Sequence, residues 1–205
     1  VQTMQGGRAK KGGVRLVSNK SEAEEFVSEF LEKEFHGELV TEILLDEKVD
    51  IVNEFYLGLL FDGALRQPIL LVSPTGGIEV ESDPNLVRIP INYTRGITEG
   101  VVNKIREVFG HLPKEYDGLL SEAQMYNLIE IAEKLYNCFV EFDLRMVEIN
   151  PLVLDAQGNL IAVDSVAVLD DDARFRWSKK IDFPERTGTR KATARELEAR
   201  EIDRE

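Results

Sequence analysis

The sequence is poor in cysteine, in long apolar runs and in positive charge, and each shortage excludes a class of protein. A single cysteine, Cys138, excludes an internal disulfide framework. It fits a reducing compartment, for which we expect the cytoplasm, or the mitochondrial matrix in a eukaryote. No apolar run approaches the roughly 20 residues of a membrane-spanning helix, so we expect no membrane partner.

The net charge of −13 argues against a general nucleic-acid-binding protein, whose binding surface would be basic. Residues 1–13, VQTMQGGRAKKGG, are a local exception, because they carry Arg8, Lys10 and Lys11 and no acid. Glycine lets backbone N–H groups approach a phosphate closely, and the cations neutralise its charge. The segment matches neither a P-loop nor a dinucleotide fingerprint, so a small-anion site and a flexible surface loop are both open.

The chain is long enough for one sizeable domain or two small lobes. Hydrophobic patterning predicts strands at residues 15–19, 39–46, 50–62, 67–73, 78–82 and 86–92. It predicts one helix from Ser21 with a Ser21–Glu24 capping box, a second over 98–109, and a longer third capped by Ser121 and Gln124. Strands dominate and hairpins outnumber βαβ units, so we expect an α+β fold rather than a doubly wound one.

Residues 148–165, EINPLVLDAQGNLIAVDS, predict a β-hairpin with one polar oxygen ligand on each strand. Asn150 and Asp164 are equidistant from Gln157, so a hairpin symmetric about Gln157 places them opposite each other. Cross-strand Cβ atoms lie roughly 4.5–5.5 Å apart, which lets an amide oxygen and a carboxylate share one Mg²⁺. A hairpin with two polar ends and no metal is the alternative that spacing alone leaves open.

Other chemistry-bearing residues are isolated in the sequence. Glu54 is an acid within an apolar strand, where an unpaired charge is costly, so it faces either solvent or a ligand hydroxyl. His36 and His111 each stand beside a glycine or a loop residue, and we predict a surface position for both. No spacing is typical of a Ser/His/Asp triad, a Cys/His pair or a zinc site.

Five segments, taken in order, resemble the ATP-grasp domain of the succinyl-CoA synthetase (succinate–CoA ligase) β subunit family, which includes citryl-CoA synthetase and ATP-citrate lyase relatives. They are GGRAKKGGV, EFYLG, TGGIEVE, EINPLV and DDDARFR. The resemblance implies an α+β ATP-grasp fold of two lobes, with nucleotide between them and Mg²⁺ bridging the phosphates. It also implies a partial ATP-grasp domain over residues 1–176 and a charged linker over 177–205, leading toward an absent CoA-ligase domain.

The resemblance assigns a role to each matching position. The implied nucleotide-binding residues are Gly7, Arg8, Ala9, Asp46, Val49 and Glu54, and the implied metal ligands are Asn150 and Asp164. Within this set Asp46 stands at the adenine hinge, Val49 in the loop that follows, and Glu54 at the ribose hydroxyls. Ala9 replaces the family's usual second glycine, and Ser165-Val166 follows Asp164 where the family usually has a small residue and a lysine.

The implied activity is that of a nucleoside-diphosphate-forming acid–CoA ligase. This portion of the β subunit would exchange a phosphoryl group between ATP or GTP and a phosphohistidine of the α subunit, with CoA and a carboxylic acid as further ligands of the full complex. No catalytic residue is assigned to this chain, and neither His36 nor His111 takes the phosphohistidine's role. We expect the isolated chain to be inactive. The alternatives are a citryl-CoA synthetase, ATP-citrate lyase or malate–CoA ligase type of subunit, or a non-catalytic nucleotide-binding assembly module.

Overall fold

The structure is a computed structural model that describes residues 1–3, 7–77, 80, 83–110, 120–181 and 193–202. The chain divides into two compact units, Val1–Lys48 with Phe183–Glu205, and Val49–Asp182. None of the helices in the described ranges combines the length and the hydropathy that crossing a membrane requires.

The first unit contains one helix, a short hairpin and a helix near the C-terminus. Its elements are α1 (Lys20–Phe30), β1 (Glu34–Phe35), β2 (Glu38–Leu39) and α5 (Ala194–Ile202). The hairpin turn has φ +50° at His36 and +87° at Gly37, as a two-residue turn between twisted strands requires. A small core holds this unit together, and its buried members are Val1, Phe26, Phe35 and Val40.

Two strands predicted in the first unit are wrong, the one over 15–19 entirely and the one over 39–46 beyond Leu39. Residues 15–19 instead lead into α1, where the Asn19 side chain accepts a hydrogen bond from the Glu22 N–H at 3.0 Å. The Ser18 N–H donates to the Glu22 carboxylate at 2.8 Å, so the helix cap lies two residues before the predicted Ser21–Glu24 box. The backbone and side chains of 15–19 therefore serve a helix terminus rather than a sheet.

The predicted strand over 39–46 fails because, among the described residues, its part beyond Leu39 pairs only through an isolated bridge between Gln2 and Glu42. β2 ends at Leu39, and Val40 exchanges backbone hydrogen bonds with residues 32 and 33. Leu44 and Leu45 are 65% and 71% exposed. Side chains with strand propensity do not form a strand without a ladder to join, because propensity reflects packing against neighbours.

The second unit is built on an antiparallel sheet with the order β5-β4-β3-β6-β7, in which β8 also pairs with β6. The strands are β3 (Ile51–Asp62), β4 (Gln67–Ser73), β5 (Val87–Pro90), β6 (Leu144–Asp155), β7 (Leu160–Ala162) and β8 (Ser165–Leu169). The helices are α2 (Glu99–Gly110), α3 (Glu122–Glu141) and α4 (Arg174–Trp177), the last preceded by a 3₁₀ turn at Asp171–Ala173. This confirms the α+β class and the strands predicted at 50–62, 67–73 and 86–92. The strand predicted at 78–82 lies mostly outside the described residues.

The two faces of the sheet have different surroundings. Phe55, Leu57 and Leu59 are fully buried in the main core, which α2 and α3 cover, and the Phe55 ring meets Phe109 edge-on at 5.6 Å. The predicted capping box at Ser121 is confirmed and begins α3. Because successive strand residues point to opposite faces, Glu54 and the residues in step with it lie on the other face, where the candidate site is found.

Candidate functional site

The predicted symmetry of the hairpin is confirmed. Leu154 pairs with Leu160 and Leu152 with Ala162, and beyond a break at 163–164 the same register continues as Ile149 with Ser165. The backbone N–H of Asn150 donates to the Asp164 carbonyl at 3.1 Å. The structure therefore places the two predicted metal ligands opposite each other.

Asp155 holds the turn that sets this register. Its carboxylate accepts hydrogen bonds from Asn159 Nδ2 at 2.9 Å and from the backbone N–H groups of Asn159 and Gln157 at 2.7 and 2.9 Å. The side-chain bond from Asn159, followed by the backbone bonds, lowers the pKa of the Asp155 carboxyl despite the opposing effect of burial. At neutral pH the charged form is thus the one that the turn stabilises.

A bulge in β6 takes Asn150 out of the pairing between β6 and β3. Phe55 pairs with Leu152 and Leu57 pairs with Ile149, so Tyr56 alone faces two residues of β6, Asn150 and Pro151. Proline has no N–H to donate to a ladder and is tolerated where pairing is interrupted. The peptide bond between Asn150 and Pro151 is cis.

The amide of Asn150 is held by both polar groups of Gly77. Its Oδ1 accepts a hydrogen bond from the Gly77 N–H at 2.7 Å, and its Nδ2 donates to the Gly77 carbonyl at 3.1 Å. This two-way pairing sets which side of the amide carries the oxygen. An amide oxygen accepts twice, so Oδ1 keeps one lone pair for a cation.

The same glycine lies against Glu54. A Cβ added at Gly77 would lie 2.8 Å from Oε2 of Glu54, and one added at Gly76 would lie 2.5 Å from the Phe55 carbonyl oxygen. The Gly76 N–H donates to the Glu54 carbonyl at 2.8 Å. The glycine pair is therefore required for this close approach, and it brings Glu54 and Asn150 to one place.

The Glu54 carboxylate is half-buried and receives no hydrogen bond from any residue that the structure describes. A half-buried carboxylate without a donor is well suited to accept from the hydroxyls of a ligand. The position thus agrees with the predicted ribose contact, which stays a prediction.

The donor set at the hairpin fits Mg²⁺. Asp164 is exposed, and its Oδ1 accepts from the Ser165 N–H at 2.9 Å. Among the described residues, no group of three or more His, Cys, Asp or Glu side chains is placed to hold a metal. The Asn150 amide oxygen and the Asp164 carboxylate are hard oxygen donors of the kind that Mg²⁺ prefers, and their role as its ligands stays a prediction.

Gly7, Arg8 and Ala9 lie together in one turn of the first unit. The Gly13 N–H donates to the Arg8 carbonyl at 2.8 Å, and the Gly12 N–H donates to the Ala9 carbonyl at 3.1 Å. Gly7 and Gly12 have φ of +72° and +82°, whereas Ala9 is not among the residues with positive φ. The turn thus needs glycine at 7 and 12 and accepts alanine at 9.

Asp46 and Val49 belong to a connecting stretch without helix or strand. Asp46 is exposed, and its carboxylate accepts from the Glu47 N–H at 2.9 Å. The expectation that Asp46 ends a strand is wrong, because that strand does not form. The hinge roles of both residues stay predictions.

The sequence reasoning missed Tyr56 and Glu148. The Tyr56 hydroxyl donates to the Glu148 carboxylate at 2.8 Å, on the face that also carries Glu54. Glu148 pairs across strands with Val166, which is 45% exposed and stands where the family usually has lysine. The sequence could have predicted Glu148, because it lies two residues before Asn150 on one strand, and residues two apart on a strand share a face.

Comparison with known proteins places these features in a family. The family model described as the ATP-grasp domain matches residues 1–154. The succinate–CoA ligase [ADP-forming] β subunit of Methanocaldococcus jannaschii is 36% identical over 177 residues, which cover 85% of this chain and 47% of that relative. The β subunit 2 of the same ligase from Streptomyces coelicolor is 34% identical over 204 residues, which cover 97% of this chain and 48% of that relative.

The fold likeness extends to a solved structure. ATP citrate lyase from Methanothrix soehngenii, in complex with citrate and coenzyme A, matches with a TM-score of 0.57 at 22% identity, over 90% of this chain and 42% of that chain. The chain spans about half the length of the curated relatives it matches. This chain belongs to the ATP-grasp family and is homologous to the β subunits of succinate–CoA ligases.

Proposed function

We propose that this chain is the nucleotide-binding portion of an acid–CoA ligase β subunit, which binds ATP or GTP with Mg²⁺ and exchanges a phosphoryl group with a histidine of an α subunit. The observation that carries the proposal is the placement of Asn150 opposite Asp164, with Glu54 and Asn150 both against Gly77. The relatives' names favour succinate as the acid and ADP as the product.

Each residue has a defined part in this proposal. Asn150 and Asp164 would hold Mg²⁺, which when bound neutralises phosphate charge. Glu54 would accept from the ribose hydroxyls and so orient the nucleotide. Arg8 would bind further phosphate oxygens. Phosphoryl transfer depends on positioning and charge neutralisation, and these groups supply both.

The proposal retains the boundaries and the inactivity expected from the resemblance. The ATP-grasp portion would cover residues 1–176, and residues 177–205 would form the linker. The isolated chain would form no acyl-CoA, because the acceptor histidine is expected on the α subunit, and neutralised phosphates without an acceptor in line do not transfer.

The test is transfer of label from γ-³²P-ATP to a purified succinate–CoA ligase α subunit. With this chain and Mg²⁺ present, we expect acid-labile label on an α-subunit histidine, and we expect none with Asp164→Ala. Asp171→Ala, an exposed carboxylate in the same unit, is the matched control and should transfer as the wild type does. Label that does not depend on Mg²⁺ or on Asp164 would contradict the proposal.

A further inference from the structure

The carboxylate of Asp83 contacts the residues that lead to Gly77, which holds the Asn150 amide. Oδ2 of Asp83 accepts short hydrogen bonds from the hydroxyls of Ser73 and Thr75, and its Oδ1 accepts from the Asn85 N–H at 2.8 Å. Ser73 is fully buried, and its hydroxyl also accepts from the Thr75 N–H at 3.1 Å. These bonds join the end of β4 to Asp83.

Asp83 is charged in this setting. Burial acts to raise the pKa of its carboxyl, but the hydrogen bonds from Ser73, Thr75 and Asn85 together outweigh burial and lower it. An ionised carboxylate only accepts hydrogen bonds, so both hydroxyls must donate to it. This sets the orientation of the Thr75 side chain two residues before Gly77.

The contacts form a continuous path from Asp83 to the predicted metal ligand. Asp83 holds Thr75, the next residue Gly76 donates to the Glu54 carbonyl, and Gly77 holds both ends of the Asn150 amide. Groups that orient a metal ligand from behind tune metal affinity, typically by about 10- to 100-fold when they are removed.

We infer that Asp83 is a positioning residue for the magnesium site, acting through Thr75 and Gly77 on the amide of Asn150. The inference rests on the proposed function, because Asn150 is a magnesium ligand only there. Asp83 makes no contact with the nucleotide in this account.

The chain offers a matched control in Asp62. Its carboxylate also closes a loop beside β3, accepting from the N–H groups of Ala64 and Leu65 at 2.9 and 3.0 Å, and it pairs with Arg88 at 3.4 Å. It lies at the opposite end of β3 from Glu54. Asp62→Ala therefore removes a similar set of bonds without a path to Asn150.

The experiment measures two quantities on the 205-residue chain. The first is hydrogen exchange of the Gly77 amide by NMR, without nucleotide or metal, where we expect Asp83→Ala to accelerate exchange about 10-fold and Asp62→Ala to leave it unchanged. The second is the affinity for Mg²⁺ at saturating ATP, where we expect a loss of about 10-fold in Asp83→Ala and none in Asp62→Ala. ATP binding measured without Mg²⁺ should be the same in all variants.

Thr75→Val and Thr75→Ser keep the test decisive if Asp83→Ala does not fold. The valine variant should repeat both effects, and the serine variant, which restores the hydroxyl, should remove them. The inference would be overturned if Gly77 exchange were unchanged in Asp83→Ala or Thr75→Val, or equally accelerated in Asp62→Ala. Either result would leave the proposed function standing. A wild-type chain without Mg²⁺-dependent nucleotide binding would overturn the proposed function, and the magnesium role of Asp83 with it.

Discussion

In the first unit the predicted site residues Gly7, Arg8 and Ala9 lie in a turn held by its own backbone, whereas in the second unit Glu54 and Asn150 lie on long paired strands. Among the described residues, the core of the first unit has four buried hydrophobic members. The core behind the second unit's sheet is several times larger and includes fully buried Phe55 and Leu57.

The two units are suited to different tasks. Strands that are paired on both sides and backed by a core hold a side chain more closely than a loop does, as a metal ligand or an orienting carboxylate requires. A glycine-rich turn that carries an arginine suits the less directional task of neutralising phosphate.

The first prediction compares one substitution in the two cores. Phe55→Ala should lower the free energy of unfolding by about 3–5 kcal/mol, because the fully buried ring leaves a cavity in a densely packed core. Phe26→Ala in the first unit should cost less, because that ring belongs to a small cluster and packs beneath the Arg15 guanidinium. Urea denaturation of both variants measures the difference, and a larger loss in Phe26→Ala would refute the contrast.

The second prediction concerns the orienting carboxylate. Glu54→Gln should weaken ATP binding by about 1–3 kcal/mol, because a charge-assisted hydrogen bond to a ribose hydroxyl becomes a neutral one. Isothermal titration calorimetry with ATP and with 2′-deoxy and 3′-deoxy analogues measures this. The analogue that lacks the bonded hydroxyl should bind both proteins with similar affinity, and equal losses for all three nucleotides would assign Glu54 another role.

The third prediction concerns pH and the turn that sets the hairpin register. Since the folded-state pKa of Asp155 is lowered, its carboxylate stabilises the fold above the unfolded pKa of about 3.9. This stabilisation is lost as the pH falls through the folded-state pKa. Thermal unfolding of wild type and Asp155→Asn should therefore differ at pH 7 and converge toward pH 2, and a difference that persists at pH 2 would exclude this cause.

The smallest effects are expected in the turn of the first unit. Gly7→Ala should cost about 1–2 kcal/mol, because an alanine Cβ disfavours the left-handed backbone that Gly7 adopts. Ala9→Gly should cost only about 0.4–1 kcal/mol, through the greater entropy of the unfolded chain. Chemical denaturation ranks the two, and a reversed order would show that position 9 is the one under backbone constraint.

The same contrast explains how far the sequence predicts the structure. The strands β3 and β4 are predictable because their apolar patterns each find a partner strand across a short turn. Residues 15–19 and 39–46 have similar strand propensity, but the first caps a helix and the second, among the described residues, pairs only at Leu39 and through an isolated bridge at Glu42. Propensity is local, whereas pairing is decided by the rest of the fold.

Within the site, the opposition of Asn150 and Asp164 is predictable because a symmetric turn fixes cross-strand partners by counting. The contact between Asn150 and Gly77 is not, because it joins residues 73 apart and depends on a bulge at Pro151 that counting along the chain does not show. The chain of contacts from Asp83 to Asn150 cannot be predicted from the sequence for the same reason.

The proposed function requires Asn150 and Asp164 to hold one magnesium ion together. A double-mutant cycle tests it, with the Mg²⁺-dependent gain in ATP affinity measured by calorimetry for the wild type, Asn150→Ala, Asp164→Ala and the double variant. If both residues bind one ion, the double variant should lose little more than the worse single variant, with a coupling energy of about 0.5–3 kcal/mol. The shared ion would be contradicted if the losses of the two single variants added in the double variant, or if Asp164→Ala kept the Mg²⁺-dependent gain in ATP affinity.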